Sequence, residues 1–269
     1  MRRNICIALL LSLMTALGAF AQAADSLQSI TKKGVLRVGV KDLTPGFALA
    51  DIKTGEISGY DVDIVKAIAR KLDAKVVIVP VAEKDRLSPL KEGAVDILAA
   101  NLTKTKARAE DIDFSYTYFL TEQKFLAKKG KVRWLTDLKD KRIGTVEGTT
   151  SEANVRKALP QATIVLFSDY VPAFLALQKG EIEAITTDEA MLAPIMAKAD
   201  PGMYEIPDIT ISQEPYGLGI RKGDKALLDF VNKMLLEMEK RGEAKKIYDK
   251  WFGPASPSPI KRAFKISAQ

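Results

Sequence analysis

Two segments of this chain repeat one pattern. Residues 90–101 read LKEGAVDILAAN, and residues 177–188 read LQKGEIEAITTD. Each pattern predicts a helix end, a turn glycine, a short apolar strand and a polar residue, Asn101 or Asp188, where the strand stops. Ligands of open α/β sheets bind beyond the carboxyl ends of the strands, so the repeat predicts two similar α/β lobes with these residues facing a cleft. The alternative is that the two segments match by coincidence, because this sequence pattern is common in α/β proteins.

The first 23 residues are interpreted as a signal peptide. Arg2 and Arg3 precede an apolar run over residues 5–20, and residues 21–23 read Ala-Gln-Ala, a small-residue cleavage signal. We expect cleavage after Ala23 and export to the periplasm. The alternative is an uncleaved membrane anchor, for which the apolar run is short.

The composition excludes most of the side chains that enzymes use for catalysis. The chain has no histidine, and its single cysteine, Cys6, lies in the predicted signal peptide. A mature chain without either residue has no disulfide, no thiol nucleophile and no histidine-based triad, and most zinc sites are excluded as well. No cofactor or metal is therefore expected.

The charge balance is basic but dispersed. The net charge is +7, or 7 − 2 = +5 once Arg2 and Arg3 are removed, and the lysines are spread along the chain. This distribution indicates a solvated basic surface, which can still attract an anionic ligand. Nucleic acid is not an expected partner, because aromatic-basic clusters are lacking.

Strand and helix patterns alternate along the chain and divide it into two lobes. The first lobe begins as a βαβαβ series, and extended stretches at 123–127, 209–212 and 217–220 are predicted to cross between lobes. The predicted division is lobe 1 over residues 24–121 and 217–269, and lobe 2 over residues 122–216. Each lobe is expected to be a mixed sheet flanked by helices.

Residues 148–151 form a candidate anion site. They read GTTS and open a predicted helix, whose first N–H groups and positive dipole end suit a carboxylate. The alternative is plain helix capping by Thr150. Arg108, with Thr103 nearby, can bind a carboxylate in bidentate fashion, although a lone arginine is also common on surfaces.

Asp188 is the candidate partner for a cation. An aspartate at a strand end that faces a cleft suits an α-ammonium group, although Asp188 could equally cap the following helix. A carboxylate site and an ammonium partner together are what a zwitterionic amino acid needs.

The chain resembles the periplasmic amino-acid-binding proteins, which are the receptors of polar amino-acid ABC importers. The resemblance runs from about Gly34 to Gly253 and implies a two-lobed periplasmic-binding-protein fold with a two-strand hinge. The phrases that carry it are GVLRVGV (34–40), GYDVDI (59–64), LTKTKARAEDIDFS (102–115), GTTSE (148–152), KGEIEA (179–184) and YDKWFG (248–253).

The resemblance implies a role for each carboxylate-binding residue. Arg108 would hold the ligand α-carboxylate, and Thr103 would assist it. Backbone and hydroxyl groups at Thr149 and Thr150 would complete this half of the site.

The remaining implied roles concern the ammonium group and the side chain. Asp188 and the backbone of Asn101 would hold the α-amino group. Lys41 and Arg86 stand at selector positions, and two cations there favour aspartate or glutamate, with glutamine, asparagine or cystine as alternatives. Phe47 would be the aromatic wall. The alternatives are a solvated Lys41, a structural salt bridge at Arg86 and a core position for Phe47.

The sequence departs from the family pattern at three places. Thr44 stands where many relatives carry an aromatic residue, and Asn101 stands where many have glycine. Residues 104–106 read Lys-Thr-Lys instead of the usual Ile-Thr-Pro. These departures bear more on the ligand than on the fold.

The resemblance also implies the mechanism and the partners. Ligand contacts from both lobes would favour a closed state, which a membrane permease would then recognise. A monomer is expected. The alternatives are an exported cyclohexadienyl dehydratase-like enzyme, with Glu147 or Glu152 as its general acid, and a sensory module for a membrane kinase or chemoreceptor.

Overall fold

The computed structural model describes residues 26–268, so the predicted signal peptide, residues 1–23, lies outside the described residues. The helices are α1 (Ser26–Lys33), α2 (Tyr60–Arg70), α3 (Ser88–Lys91), α4 (Lys106–Asp111), α5 (Thr150–Ala158), α6 (Tyr170–Lys179), α7 (Glu189–Met196), α8 (Lys225–Lys240) and α9 (Glu243–Phe252), with one 3₁₀ turn, Leu135–Leu138. Within this range, none of the helices has the length and apolar character needed to cross a membrane.

The strands form one nine-stranded mixed sheet and one small three-stranded sheet. They are β1 (Val35–Val40), β2 (Leu43–Thr44), β3 (Ala48–Ala50), β4 (Ile57–Ser58), β5 (Lys75–Pro80), β6 (Ile97–Ala99), β7 (Ile112–Lys128), β8 (Arg142–Val146), β9 (Thr163–Phe167), β10 (Ala184–Asp188), β11 (Tyr204–Glu205) and β12 (Ser212–Arg221). The large sheet has the order β5-β1-β6-β12-β7-β10-β8-β9, with β11 beside β7. The predicted α/β class with a mixed sheet flanked by helices is confirmed.

Parallel strands lie on both sides of an antiparallel centre. β1 pairs in parallel with β5 and β6, and β8 pairs in parallel with β9 and β10. Between these groups, β7 and β12 are antiparallel to each other and to their outer neighbours. The carboxyl ends of two separate parallel groups are therefore available to build a site.

The two central strands connect the halves of the sheet. The first part of β7 pairs with β12, and residues 123–127 of β7 pair with β10. The extended stretches expected at 123–127 and 217–220 are confirmed as parts of the paired strands β7 and β12, whereas only Ser212 of the stretch 209–212 lies in a strand. The expected lobe boundaries, at 121/122 and 216/217, fall inside β7 and β12, and the second coincides with a register shift between Tyr216 and Gly217. The lobe limits themselves stay a prediction.

The repeated sequence unit forms the repeated structure that it predicts. Gly93 and Gly180 follow α3 and α6 with φ values of 77° and 75°, a left-handed conformation that glycine adopts readily. Buried strands β6 and β10 follow these turns. Asn101 lies two residues beyond β6, and Asp188 is the last residue of β10.

Gly59 sets the close contact between α2 and the small sheet. A Cβ atom at this position would lie 1.9 Å from the carbonyl oxygen of Phe47 and 2.7 Å from the backbone nitrogen of Ala48. Both of these atoms belong to the backbone. The carbonyl oxygen of Phe47 also accepts a hydrogen bond from the Asp61 N–H and so joins the start of α2 to the residue before β3. The contact therefore has no room for a side chain.

We expect Gly59→Ala to lower the free energy of unfolding by about 2–4 kcal/mol, because the backbone must move to relieve the overlap. Chemical denaturation measures this change. The matched control is Gly55→Ala: Gly55 also has positive φ, 71°, but among the described residues no atom lies within 4 Å of its added Cβ. The control should lose only about 1 kcal/mol. Equal losses in the two variants would contradict the steric explanation.

Candidate functional site

A small polar cavity lies at the carboxyl ends of strands from both parallel groups. It has about 260 Å³ of empty space. Its walls begin where β1, β6, β8 and β10 end, as expected for an open α/β sheet. Seven of the nine predicted site residues line it, namely Lys41, Arg86, Asn101, Thr103, Thr149, Thr150 and Asp188.

The start of α5 presents main-chain donors to this cavity. Thr149 caps the helix by accepting the Glu152 N–H, and its own hydroxyl donates to the carbonyl of Val146 at 2.7 Å. The hydroxyl of Thr150 donates to the buried carboxylate of Glu214 at 3.0 Å. Because both hydroxyl protons already have acceptors, the backbone N–H groups of the first turn are the donors left for an anion.

Arg108 lies behind the cavity wall on the short helix α4. The helix is capped by Thr105, whose hydroxyl accepts the Arg108 N–H at 3.2 Å. The guanidinium donates to the carbonyl of Thr103 at 2.9 Å, which uses one of its five N–H donors. Burial, and then the nearby charge of Arg86, lower the pKa of Arg108 to about 10, so the group is charged at neutral pH. An anion placed here would relieve the repulsion.

Asp188 supplies a buried carboxylate opposite these donors. Its Oδ2 accepts a hydrogen bond from the hydroxyl of Tyr216, while its buried Oδ1 has no partner among residues 26–268. Burial, and then the nearby Glu214 carboxylate, raise the pKa of Asp188 to about 7. A cationic group beside Oδ1 would stabilise the ionised form.

Lys41 and Arg86 share one carboxylate, that of Glu83. Lys41 makes a close ion pair with Glu83 Oε2, and Arg86 contacts Glu83 Oε1 at 2.8 Å. Arg86 also donates to the carbonyl of Ala100 at 3.0 Å. Burial would raise the pKa of Glu83, but the two cations outweigh it and lower the pKa to about 2. The three groups together therefore carry one positive charge, not two.

Asn101, which lines the cavity, has an unusual backbone conformation. Its φ of 51° lies in the left-handed region, and its N–H donates to the buried Asp61 carboxylate at 3.3 Å. Within the described part of the chain, neither Nδ2 nor Oδ1 of its buried side chain has a hydrogen-bond partner. Buried amides without partners are uncommon in folded proteins, so this group needs an explanation.

Phe47 does not form the aromatic wall expected from the sequence. Its fully buried ring lies in the core, with ring centroids 4.9 Å from Phe119 and 5.0 Å from Phe252. The turn at Gly46, with φ of 83°, directs the chain into β3 and turns this ring inward. Tyr170, the first residue of α6, is the aromatic residue that lines the cavity.

Five lining residues were not predicted from the sequence, namely Glu83, Ser151, Tyr170, Thr187 and Met191. Ser151 and Thr187 directly adjoin predicted site residues, so neighbourhood alone could have suggested them. Glu83 lies three residues before Arg86, a spacing that permits an ion pair. We see no sequence signal that would have placed Tyr170 or Met191 at this cavity.

A larger, apolar cavity adjoins the polar one. It has about 720 Å³ of empty space and shares Lys41, Tyr170 and Met191 with its neighbour. Its other walls include exposed Leu43, Val171 and Leu175. Most of its lining is apolar, although Asp169 and Lys198 also contribute to it, whereas charged and hydroxyl side chains dominate the lining of the polar cavity. The polar cavity is therefore the candidate site for a charged ligand.

The chain is similar to known solute-binding and amino-acid-binding proteins. The ABC transporter glutamine-binding protein of Bacillus subtilis is 36% identical over 233 residues, which cover 84% of each chain. The glutamate/aspartate import solute-binding protein of Escherichia coli is 31% identical and covers 98% of this chain and 91% of its own. A solved ancestral arginine-binding protein bound to glutamine is 38% identical, with a TM-score of 0.75, and the alignment covers 82% of this chain and 98% of that one.

The match to the family described as bacterial extracellular solute-binding proteins, family 3, spans residues 36–254. Apart from Val35, the first residue of β1, that span includes the whole large sheet and every residue that lines the polar cavity. The two curated relatives described above are named as binding proteins of transport systems. This chain belongs to the bacterial extracellular solute-binding proteins, family 3.

Proposed function

We propose that this chain binds a polar L-amino acid in the polar cavity and delivers it to the permease of an ABC importer. The observation that carries the proposal is the unpartnered Asp188 Oδ1, considered among the described residues, in the same cavity as the first turn of α5. An α-ammonium group fits Asp188, and an α-carboxylate fits α5 and Arg108. The names of the relatives, which bind glutamine or glutamate and aspartate, support this class of ligand.

Glutamine is our first candidate among polar amino acids. The sequence favours aspartate or glutamate because Lys41 and Arg86 are both cationic. Glu83 lies between them, however, and removes one of the two charges. A side chain with a second full negative charge would be repelled by the Glu83 carboxylate, whereas a neutral amide would not. Glutamate and aspartate are the main alternatives, followed by asparagine and cystine.

Domain closure is the proposed mechanism. The exposed ion pair between Lys84 and Glu147, at 3.2 Å, joins the loop after β5 to the loop after β8. We propose that β7 and β12 act as the hinge and that ligand contacts from both sides shift the population toward the closed form. We further propose that the protein is a periplasmic monomer, exported with a signal peptide that is cleaved after Ala23.

The dehydratase alternative has less support. Glu147 pairs with Lys84, and Glu152 accepts the Gly148 N–H and pairs with Arg156. A general acid must reach the ligand. Among residues 26–268, neither of these two carboxylates lines the polar cavity.

A thermal-shift panel tests the proposal. Residues 24–269 are unfolded and refolded to remove bound ligand, and then scanned with the common L-amino acids and prephenate. A ligand at 100 times its Kd should add about 2.7 kcal/mol of stability, which is a shift of several degrees. A shift with glutamine supports the proposal. A shift with prephenate alone would favour the dehydratase, and no shift with any amino acid would overturn the proposal.

Binding should become weaker as the pH falls below about 7. The pKa of Asp188 in the ligand-free protein is about 7, and only the ionised carboxylate can pair with an ammonium group. Protonation competes with the ligand, so Kd at pH 5.5 should be roughly 30-fold higher than at pH 8. Glu214, Glu83, Lys41 and Tyr216 also act on this carboxylate.

Calorimetry in two buffers of different ionisation enthalpy measures this effect directly. Near pH 6, binding should release close to one proton as Asp188 ionises. Asp188→Asn should abolish that proton release. A Kd that is constant between pH 5.5 and 8 would contradict the assignment of Asp188 to the ammonium group.

A further inference from the structure

The side chain of Asn101 is the part of the cavity that the proposed contacts leave unexplained. It is 5% exposed, and both its amide atoms are buried without partners in the chain between residues 26 and 268. A buried amide forfeits its hydrogen bonds with water, and this loss is normally compensated. Because Asn101 lines the cavity, a ligand bound there is in reach of both amide atoms.

The α-carboxylate and the α-ammonium group of an amino-acid ligand already have proposed partners, so one polar group of the ligand remains for Asn101. The α-carboxylate is matched by Arg108 and the first turn of α5, and the α-ammonium is matched by Asp188. What remains of a polar amino acid is the polar group of its side chain. Arg86, which donates to the carbonyl of Ala100 immediately before Asn101, brings Glu83 and Lys41 to the same part of the wall.

The donors and acceptors on this part of the wall are mixed. Asn101 offers one donating and one accepting group, Glu83 offers an accepting carboxylate, and Lys41 and Arg86 offer donors. A ligand carboxylate only accepts, so it would leave Asn101 Oδ1 unmatched and would meet the like charge of Glu83. A carboxamide both donates and accepts, so its NH₂ group matches Asn101 Oδ1 and Glu83 while its oxygen accepts from the Asn101 NH₂ group.

We propose that Asn101 and Glu83 are specificity-determining residues, which select a ligand with a carboxamide side chain over one with a carboxylate. The inference rests on the proposed function, because it concerns the side chain of the same amino-acid ligand. Asn101 recognises the carboxamide directly, and Glu83 accepts from its NH₂ group while it excludes a second negative charge.

Two variants test this inference by calorimetry with L-glutamine and L-glutamate. Asn101→Gly removes the amide but keeps the backbone, and glycine readily adopts the φ of 51° found there. Glu83→Gln keeps the shape and removes the charge. The matched controls are Asp73→Gly, at an exposed residue that also has positive φ, 49°, and Glu92→Gln, at an exposed glutamate that does not line the cavity.

The wild-type protein should bind glutamine more tightly than glutamate. Asn101→Gly should weaken glutamine binding by about tenfold or more and change glutamate binding less, since glutamate uses only the donor of the amide. Glu83→Gln should move the ratio of the two Kd values toward glutamate by about tenfold. Neither control should change the ratio. A merely structural role would affect the two ligands alike.

The failure of this inference is distinguishable from the failure of the proposed function. If the wild-type protein binds an amino acid but the ratio in both variants stays within twofold of the wild-type ratio, the inference is overturned and the receptor function stands. Tighter wild-type binding of glutamate also overturns the inference alone. If the wild-type protein binds no amino acid, the function and the inference fall together.

Discussion

Replacing Arg108 with alanine is expected to weaken the binding of every amino acid by at least about 100-fold. The α-carboxylate is common to all amino acids, so the loss should not depend on the ligand side chain. Removing one partner of a desolvated charge pair typically costs about 2–5 kcal/mol, and 100-fold corresponds to about 2.7 kcal/mol. The half-buried position of Arg108 and its lowered pKa indicate that an anion would be held strongly there.

Calorimetric titration with glutamine, glutamate and asparagine measures the effect. Arg108→Lys should recover only part of the affinity, because an ammonium group keeps the charge but loses the bidentate geometry. Arg241→Ala is the control. Arg241 is an exposed arginine at the C-terminal end of α8, and it pairs with Glu237 of the same helix. An Arg108→Ala protein that is folded and binds glutamine within threefold of the wild-type affinity would rule out the proposed role.

Asp188→Asn should have opposite effects on binding and on the stability of the ligand-free protein. Binding should weaken by about 100-fold or more, because the ammonium group loses its only proposed anionic partner. The ligand-free protein, in contrast, should gain about 1–3 kcal/mol at pH 8. Burial raises the pKa of Asp188 above its unfolded value, so the ionised carboxylate destabilises the folded state.

The pH dependence of this gain follows from the direction of the pKa shift. A carboxyl group whose folded pKa is raised binds its proton more tightly in the folded state, so its contribution to stability falls as the pH rises from about 4 to about 7. The gain in Asp188→Asn should therefore be full at pH 8 and absent near pH 4. Urea denaturation at the two pH values measures it. A variant that is destabilised at pH 8 would show that the carboxylate is needed to hold Tyr216 and not to bind a ligand.

The sequence predicted the framework of the candidate site well where strand periodicity determines position. The repeated unit correctly predicted β6 and β10, and it also predicted that Asn101 and Asp188 lie at comparable strand ends. Parallel strands end at one edge of a sheet, so a motif at a strand end has a nearly determined location. Lys41, Thr149 and Thr150 line the cavity for the same reason.

The parts that the sequence missed depend on contacts between loops or on long-range pairing. Glu83 lies in an irregular segment between β5 and α3, where no periodicity predicts which cation it meets. Phe47 follows a Pro-Gly turn, from which an aromatic ring can face either the core or a cleft. The full length of β7, 17 residues, was also missed, because polar residues interrupt its apolar pattern while β12 and β10 supply its hydrogen bonds.

The most direct test of the central claim is a calorimetric titration of the ligand-stripped mature chain with L-glutamine at pH 8. We expect one site per chain, a Kd in the micromolar range or below, and tighter binding than for glutamate. Binding of glutamate in preference to glutamine would contradict the proposed selectivity of the Lys41, Glu83, Arg86 and Asn101 group. The absence of binding heat with any amino acid would contradict the receptor function itself.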